Sequence, residues 1–119
     1  MDNVIFEFYI GDTYSRDFTL TGYSETINEV YFTVKKSDKD KNFIFQKTLD
    51  NGITLVDDEP RTYNILIDAT DTETLNVDTE YPFDIEIVTT KTEGDIKKTI
   101  IKGVVLLKEA TTRIWNEGE

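Results

Sequence analysis

Tyr81-Pro82-Phe83-Asp84-Ile85-Glu86-Ile87 sets a large apolar residue at every second position, with acidic residues between Phe83 and Ile87. Successive side chains of a strand point to opposite faces, so this period of two predicts a strand with one buried face and one wet face. That is the pattern of an antiparallel all-β fold. Pro82 has no N–H to give to a ladder, which predicts a first-residue or edge position for this end of the strand. Tyr81 follows the crossover Leu75 to Thr79 and heads a late strand, the place of a tyrosine corner or of a plain core tyrosine.

Outward from this strand the same period recurs in short runs. Toward the C-terminus, Thr92-Glu93-Gly94-Asp95 predicts a turn into a last strand, Thr99 to Leu107. Gly103 inside that run predicts a bulge or a close backbone approach. Toward the N-terminus, Asp68 to Leu75 breaks the alternation, and its Thr and Asp residues predict one short helical turn near residues 70–75, with Thr70 or Asp71 as N-cap. Tyr63, Ile65 and Ile67 form an inward row, preceded by an acidic loop through Asp57, Asp58, Glu59 and Pro60 and a short strand Ile53-Thr54-Leu55-Val56. Asp50-Asn51-Gly52 carries the Asn-Gly pair that favours a tight hairpin turn. Val30, Phe32 and Val34 form another row, and Ser37 to Lys41 a solvated turn into Phe43, Ile44 and Phe45. Tyr14, Arg16, Phe18 and Leu20 share one face, as do Val4, Phe6, Phe8 and Ile10, with Gly11-Asp12-Thr13 between them.

These runs predict an immunoglobulin-like antiparallel β-sandwich of about seven or eight strands, with a small barrel as the neighbouring possibility. Residues 1–112 are expected to form one domain and 113–119 a C-terminal tail. No long amphipathic helix, internal repeat or low-complexity segment is present.

Composition narrows the function classes. The 119 residues contain no Cys and no His, which removes thiol nucleophiles, disulfides, zinc clusters and imidazole-based triads. With 24 acidic against 13 basic residues the net charge is −11, a field that repels phosphate backbones and makes nucleic acid a poor partner. The start Met1-Asp2-Asn3 lacks the basic and apolar regions of a signal peptide. No apolar stretch approaches the roughly 18 to 20 residues of a membrane span. Synthesis in a cytoplasm, with no membrane partner, is the expectation.

No catalytic arrangement emerges. Ser15, Ser24 and Ser37 stand in turn-like surroundings without a G-x-S-x-G elbow, and neither phosphate-binding glycine motif is present. Asp57, Asp58 and Glu59, with Asp68 and Asp71, offer oxygen ligands for calcium but lack the EF-hand spacing. The expectation is a chain that is not an enzyme and binds no cofactor or metal. Tyr9, Tyr14, Tyr23, Tyr31 and Trp115 could stack on sugars, although most lie at strand positions that suit packing. Ile114 and Trp115 in the polar tail Thr112-Arg113-Ile114-Trp115-Asn116 are the expected partner-binding residues, since a terminal Trp either folds back or anchors a neighbour.

Several phrases, in order, resemble a known family. They are Gly11-Asp12-Thr13 leading to Phe18-Thr19-Leu20, then Val30-Tyr31-Phe32-Thr33-Val34-Lys35-Lys36, then Ile67-Asp68-Ala69-Thr70-Asp71-Thr72-Glu73-Thr74-Leu75, Tyr81-Pro82-Phe83-Asp84-Ile85, and Gly103-Val104-Val105-Leu106-Leu107. From about Phe6 to Thr112 the chain resembles the small β-sandwich domain at the N-terminus of upper baseplate proteins of phages and prophages infecting Gram-positive bacteria. Pro82 at the second place of the Y-x-F-D-I phrase departs from the pattern. The resemblance implies a non-enzymatic virion structural protein, in baseplate, tail or head, docking with other virion proteins or with its own copies. The sequence ends at Glu119 with no receptor-binding module, so an accessory or adaptor role is expected over host binding. A bacterial immunoglobulin-like or carbohydrate-binding surface module is the alternative reading.

Overall fold

The computed structural model describes residues 4–20, 26–58, 60–91 and 94–109. Ile114 and Trp115 lie outside the described residues, as do Ser24 and Tyr23. The chain is all-β, with strands β1 (Val4–Tyr9), β2 (Tyr14–Leu20), β3 (Thr26–Val34), β4 (Phe45–Leu49), β5 (Gly52–Asp58), β6 (Arg61–Ile67), β7 (Glu80–Lys91) and β8 (Gly94–Lys108). One short 3₁₀ turn, Ala69–Thr72, lies between β6 and β7. The strands join in the order β1-β8-β7-β3-β4-β5-β6-β2.

The two faces expected of a sandwich are two halves of one ladder, which runs on through the β4–β5 corner and curls until it is nearly barrel-shaped. Five of the pairings are antiparallel, but β1–β8 and β4–β5 are parallel, which corrects the expectation of a wholly antiparallel sheet. The Asp50-Asn51-Gly52 corner explains the second case. A two-residue hairpin turn of this kind needs positive φ at two consecutive residues. Here the positive values fall on Asp50 (67°) and Gly52 (100°), with Asn51 between them. The chain therefore loops out and resumes its former direction, with Thr48 beside Gly52 and Leu49 beside Ile53. Asp50 N–H closes the loop on the Ile53 carbonyl at 2.7 Å.

The predicted inward rows are the core. Val30, Phe32 and Val34 of β3, Tyr63, Ile65 and Ile67 of β6, and Tyr81, Phe83, Ile85 and Ile87 of β7 are all buried. Phe6 of β1 meets Phe83 at 4.5 Å and Phe32 at 5.7 Å between ring centroids, so three strands share one aromatic cluster. Tyr14 of β2 stacks on Phe8 at 4.3 Å with the planes 12° apart. β1 and β2 are the two ends of the ladder, and this stack brings them together where no strand pairing does. Offset aromatic stacking of this kind adds about 0.5–1.5 kcal/mol beyond simple burial.

Two close approaches set the geometry. A Cβ on Gly103 would sit 2.0 Å from the Val4 carbonyl oxygen and 2.9 Å from the Phe83 ring, so only glycine lets β1 lie against β8 at this level. The bulge in this hairpin falls at Ile85/Glu86, where Ile100 is the extra residue on β8. Tyr81 forms the tyrosine corner, its Oη accepting the Asn76 N–H at 2.9 Å. Pro82 is tolerated inside the sheet because its nitrogen faces the same side as its carbonyl, which accepts from Lys35 N–H at 3.0 Å just past the end of β3 at Val34, so the ladder to β8 loses no donor. Pro82 is the third residue of β7 and pairs with Val104 in an interior strand, near the strand start but at neither the first-residue nor the edge position expected.

Two further boundaries differ from expectation. Asp68, not Thr70 or Asp71, is the N-cap of the 3₁₀ turn, and Asp71 reaches back from the third position to accept the Asp68 N–H at 2.8 Å. Asp57 and Asp58, expected in a loop, are strand, while Glu59 lies outside the described residues. A bulge between Leu55 and Asp57 carries β5 on to Asp58, which faces Arg61.

Candidate interaction surface

Of the acidic residues that offer oxygen ligands, Glu59 lies outside the described residues. Asp71 is engaged by Lys47 and by the Asp68 N–H. Asp58 lies opposite Arg61, whose guanidinium donates to Tyr63 Oη at 3.5 Å. That hydrogen bond, with the charges nearby, pushes the Arg61 pKa further up. Among the described residues no three Asp or Glu side chains gather as a metal site. Ser15 accepts from Asn64 Nδ2 at 3.1 Å, and that amide also donates to Asp17 at 2.8 Å.

Among the described residues, Tyr9, Tyr14 and Tyr31 form no common platform; Tyr23 and Trp115 lie outside them. Tyr14 is spent on the Phe8 stack. Tyr31 donates its hydroxyl to Glu29, and this bond raises the phenol above its ordinary pKa. Tyr9 is half exposed, but it lies on β1, separated from Tyr31 on β3 by two intervening strands. At about 4.8 Å between strands that is some 14 Å before any offset along the strands. A surface hollow at the β3–β4 junction, lined by Asn28, Glu29, Val30, Tyr31, Thr48, Leu49 and Asp50, is acidic and amidic in character.

The surface best suited to a partner is the β1 edge. β1 reads Val-Ile-Phe-Glu-Phe-Tyr, apolar on both faces apart from Glu7. Phe6 and Phe8 point into the core, so Ile5, Glu7 and Tyr9 point outward by alternation. Ile5 and Tyr9 are 50% and 51% exposed, high for residues of that size. Register extends the patch across the sheet: Ile5 lies beside Val104 and Val104 beside Pro82, while Glu7 lies beside Leu106 and Leu106 beside Glu80. Tyr9 lies beside Lys108, whose ammonium pairs with Asp78 at 3.1 Å and is held protonated above its ordinary pKa by that bond. The result is an apolar strip with an acidic rim.

The backbone of β1 adds to this. Ile10 N–H donates to the Lys108 carbonyl at 2.9 Å, which extends the ladder in which the even-numbered residues face β8. The N–H and C=O groups of Ile5 and Glu7 therefore face away from β8, toward the side on which β1 pairs with no strand among the described residues. Such a row can template another strand.

No protein-family model matches the chain, and no curated protein matches it in sequence. Among the described residues no catalytic or metal site gathers from the sequence-derived candidates, and Ile114 and Trp115 lie outside them. The β1 edge was signalled instead by a strand whose two faces are both apolar.

Proposed function

We propose that this chain is a non-enzymatic structural component of a phage or prophage virion, a baseplate, tail or head accessory or adaptor, acting through protein–protein assembly. The carrying observation is the β1 edge, which on the side away from β8 pairs with no strand among the described residues, and whose outward residues Ile5 and Tyr9 are half exposed beside Val104 and Lys108. Monomeric domains generally blunt such edges with charge, proline or a covering loop, so one left apolar is suited to docking. The ordered phrases from Gly11-Asp12-Thr13 to Gly103-Val104-Val105 supply the virion context, and other virion proteins are the partners it implies. Synthesis in a bacterial host followed by incorporation into particles fits this role.

The test is the protein content of purified particles from the strain or phage that encodes the chain. The protein should co-purify with intact virions through a density gradient, in fixed ratio to the structural proteins. Its absence from particles that carry infectivity refutes the role. Calorimetric titration with cell-wall oligosaccharides that yields saturable heat would favour the carbohydrate-binding alternative.

A further inference from the structure

β8 presents two different edges along one side. Gly103–Lys108 is covered by β1, whereas Gly94–Lys102 pairs on that side with nothing among the described residues. The molecule is 62 Å along its longest axis, and the outer ends of β7 and β8 form an arm beyond the reach of β1. Residues Gly94 to Thr99 of this arm are exposed. Its composition, Asp95-Ile96-Lys97-Lys98-Thr99-Ile100-Ile101-Lys102, is apolar and basic in a chain of net charge −11.

The backbone directions can be followed through the sheet. Pro82 C=O faces β3, so by alternation Ile87 and Thr89 direct their groups to β8, where they meet Lys98 and Ile96. Asp95, Lys97 and Thr99 then turn their N–H and C=O groups to the open side. Their side chains share a face with Thr90, Val88 and Glu86 opposite them, which is the outer face of the sheet. Ile5, Glu7 and Tyr9 of β1 likewise present their side chains on that outer face, and Ile5 and Glu7 their backbone groups on the open side.

We infer that the β8 arm of one copy pairs antiparallel with the β1 edge of a second copy, reciprocally about a two-fold axis, with Glu7 opposite Lys97. In that register Ile5 faces Thr99 and Tyr9 faces Asp95. The apolar, acidic-rimmed edge meets the apolar, basic edge, and cross-strand opposite charges stabilise such pairs. Arm against arm is disfavoured, since centring it on its free groups sets Lys97 against Lys97. A second copy related by a half-turn satisfies both edges of both chains at once, as closed two-fold interfaces do. The proposal rests on reading the domain as an assembly module and names its first partner.

The experiment is light scattering and sedimentation of the whole chain and of Glu7→Lys, Lys97→Glu and the double variant. Both positions are exposed, so each variant should keep its circular dichroism spectrum. The wild-type protein should dimerise, more weakly at high salt. Each single reversal should weaken the dimer about tenfold or more, because like charges then face each other twice. The double variant should restore the dimer, and so should an equimolar mixture of the two single variants. A protein that stays monomeric up to millimolar concentration, or a dimer indifferent to these reversals, overturns the inference. A monomer found in purified virions would do so while leaving the structural role standing.

Discussion

Lys47 reaches across Gly52 to place its ammonium 2.7 Å from the Asp71 carboxylate, tying the β4–β5 corner to the 3₁₀ turn. Both side chains are largely withdrawn from water, at 13% and 19% exposure. The Lys47 stem lies so close that a Cβ on Gly52 would meet its Cδ at 2.4 Å. The corner is thus shaped by a backbone that needs glycine and by a cation that holds its neighbour. Replacing Lys47 with Met keeps the stem and removes the charge, leaving Asp71 with only the Asp68 N–H. The expected loss is about 1–2 kcal/mol in urea unfolding, between the values for exposed and buried pairs. An unchanged midpoint would show that the pair contributes nothing.

Gly103→Ala should be far more damaging than its size suggests. The added methyl would collide with the Val4 carbonyl, which is backbone, and with the Phe83 ring inside the core. A loss of about 3 kcal/mol or more is expected, with β1 released from β8. Gly94→Ala is the control. Its Cβ meets nothing within 4 Å, but its φ of 123° is unsuited to an L side chain. It should cost only about 1–2 kcal/mol. Hydrogen exchange separates the two, since only Gly103→Ala should expose the β1 amides.

Tyr81→Phe removes the hydroxyl that accepts the Asn76 N–H and leaves the ring in place. The expected destabilisation is about 1 kcal/mol, the ordinary net value of such a bond. Thermal unfolding of the pair of proteins measures it directly.

Tyr31 should titrate above an ordinary tyrosine, because its hydroxyl donates to the Glu29 carboxylate. Ultraviolet difference absorbance reads phenolate formation, and Glu29→Gln should move that step downward. The sign for stability follows from linkage. With the folded-state pKa raised, the unfolded chain loses its proton first, so this contribution is complete below about pH 10 and is lost as pH rises through the folded value. A Tyr31 step unmoved by Glu29→Gln would show the bond to be absent in solution.

Much of the fold is legible in the sequence because its interior obeys alternation. Val30, Phe32 and Val34, or Tyr63, Ile65 and Ile67, each announce a strand and its buried face without reference to any other part of the chain. Gly103 is legible too, since a glycine within an apolar run has few reasons to be there. The larger failures are relational. The Asn51-Gly52 pair favours reversal locally, but the conformations of Asp50 and Gly52 send the chain onward instead. The parallel pairing of Val4–Tyr9 with Gly103–Lys108 joins residues some hundred positions apart, and no local pattern reports such a partner. Ile114 and Trp115, the expected partner-binding residues, lie outside the described residues; the exposed Ile5 and Tyr9 stand on the reverse of a strand whose Phe6 and Phe8 drew the reading inward.

The parallel union of β1 with β8 also has a mechanical consequence. These are the first and last strands of the described chain, and they run the same way side by side. A pull on the chain from its two ends therefore acts along both strands in opposite senses, and loads every rung between Val4 and Tyr9 together. An antiparallel closing pair would open like a zipper, one rung at a time. This one must slip as a unit, with the Val4 carbonyl wedged against Gly103. A domain closed in this way can bear tension between whatever precedes it and whatever follows.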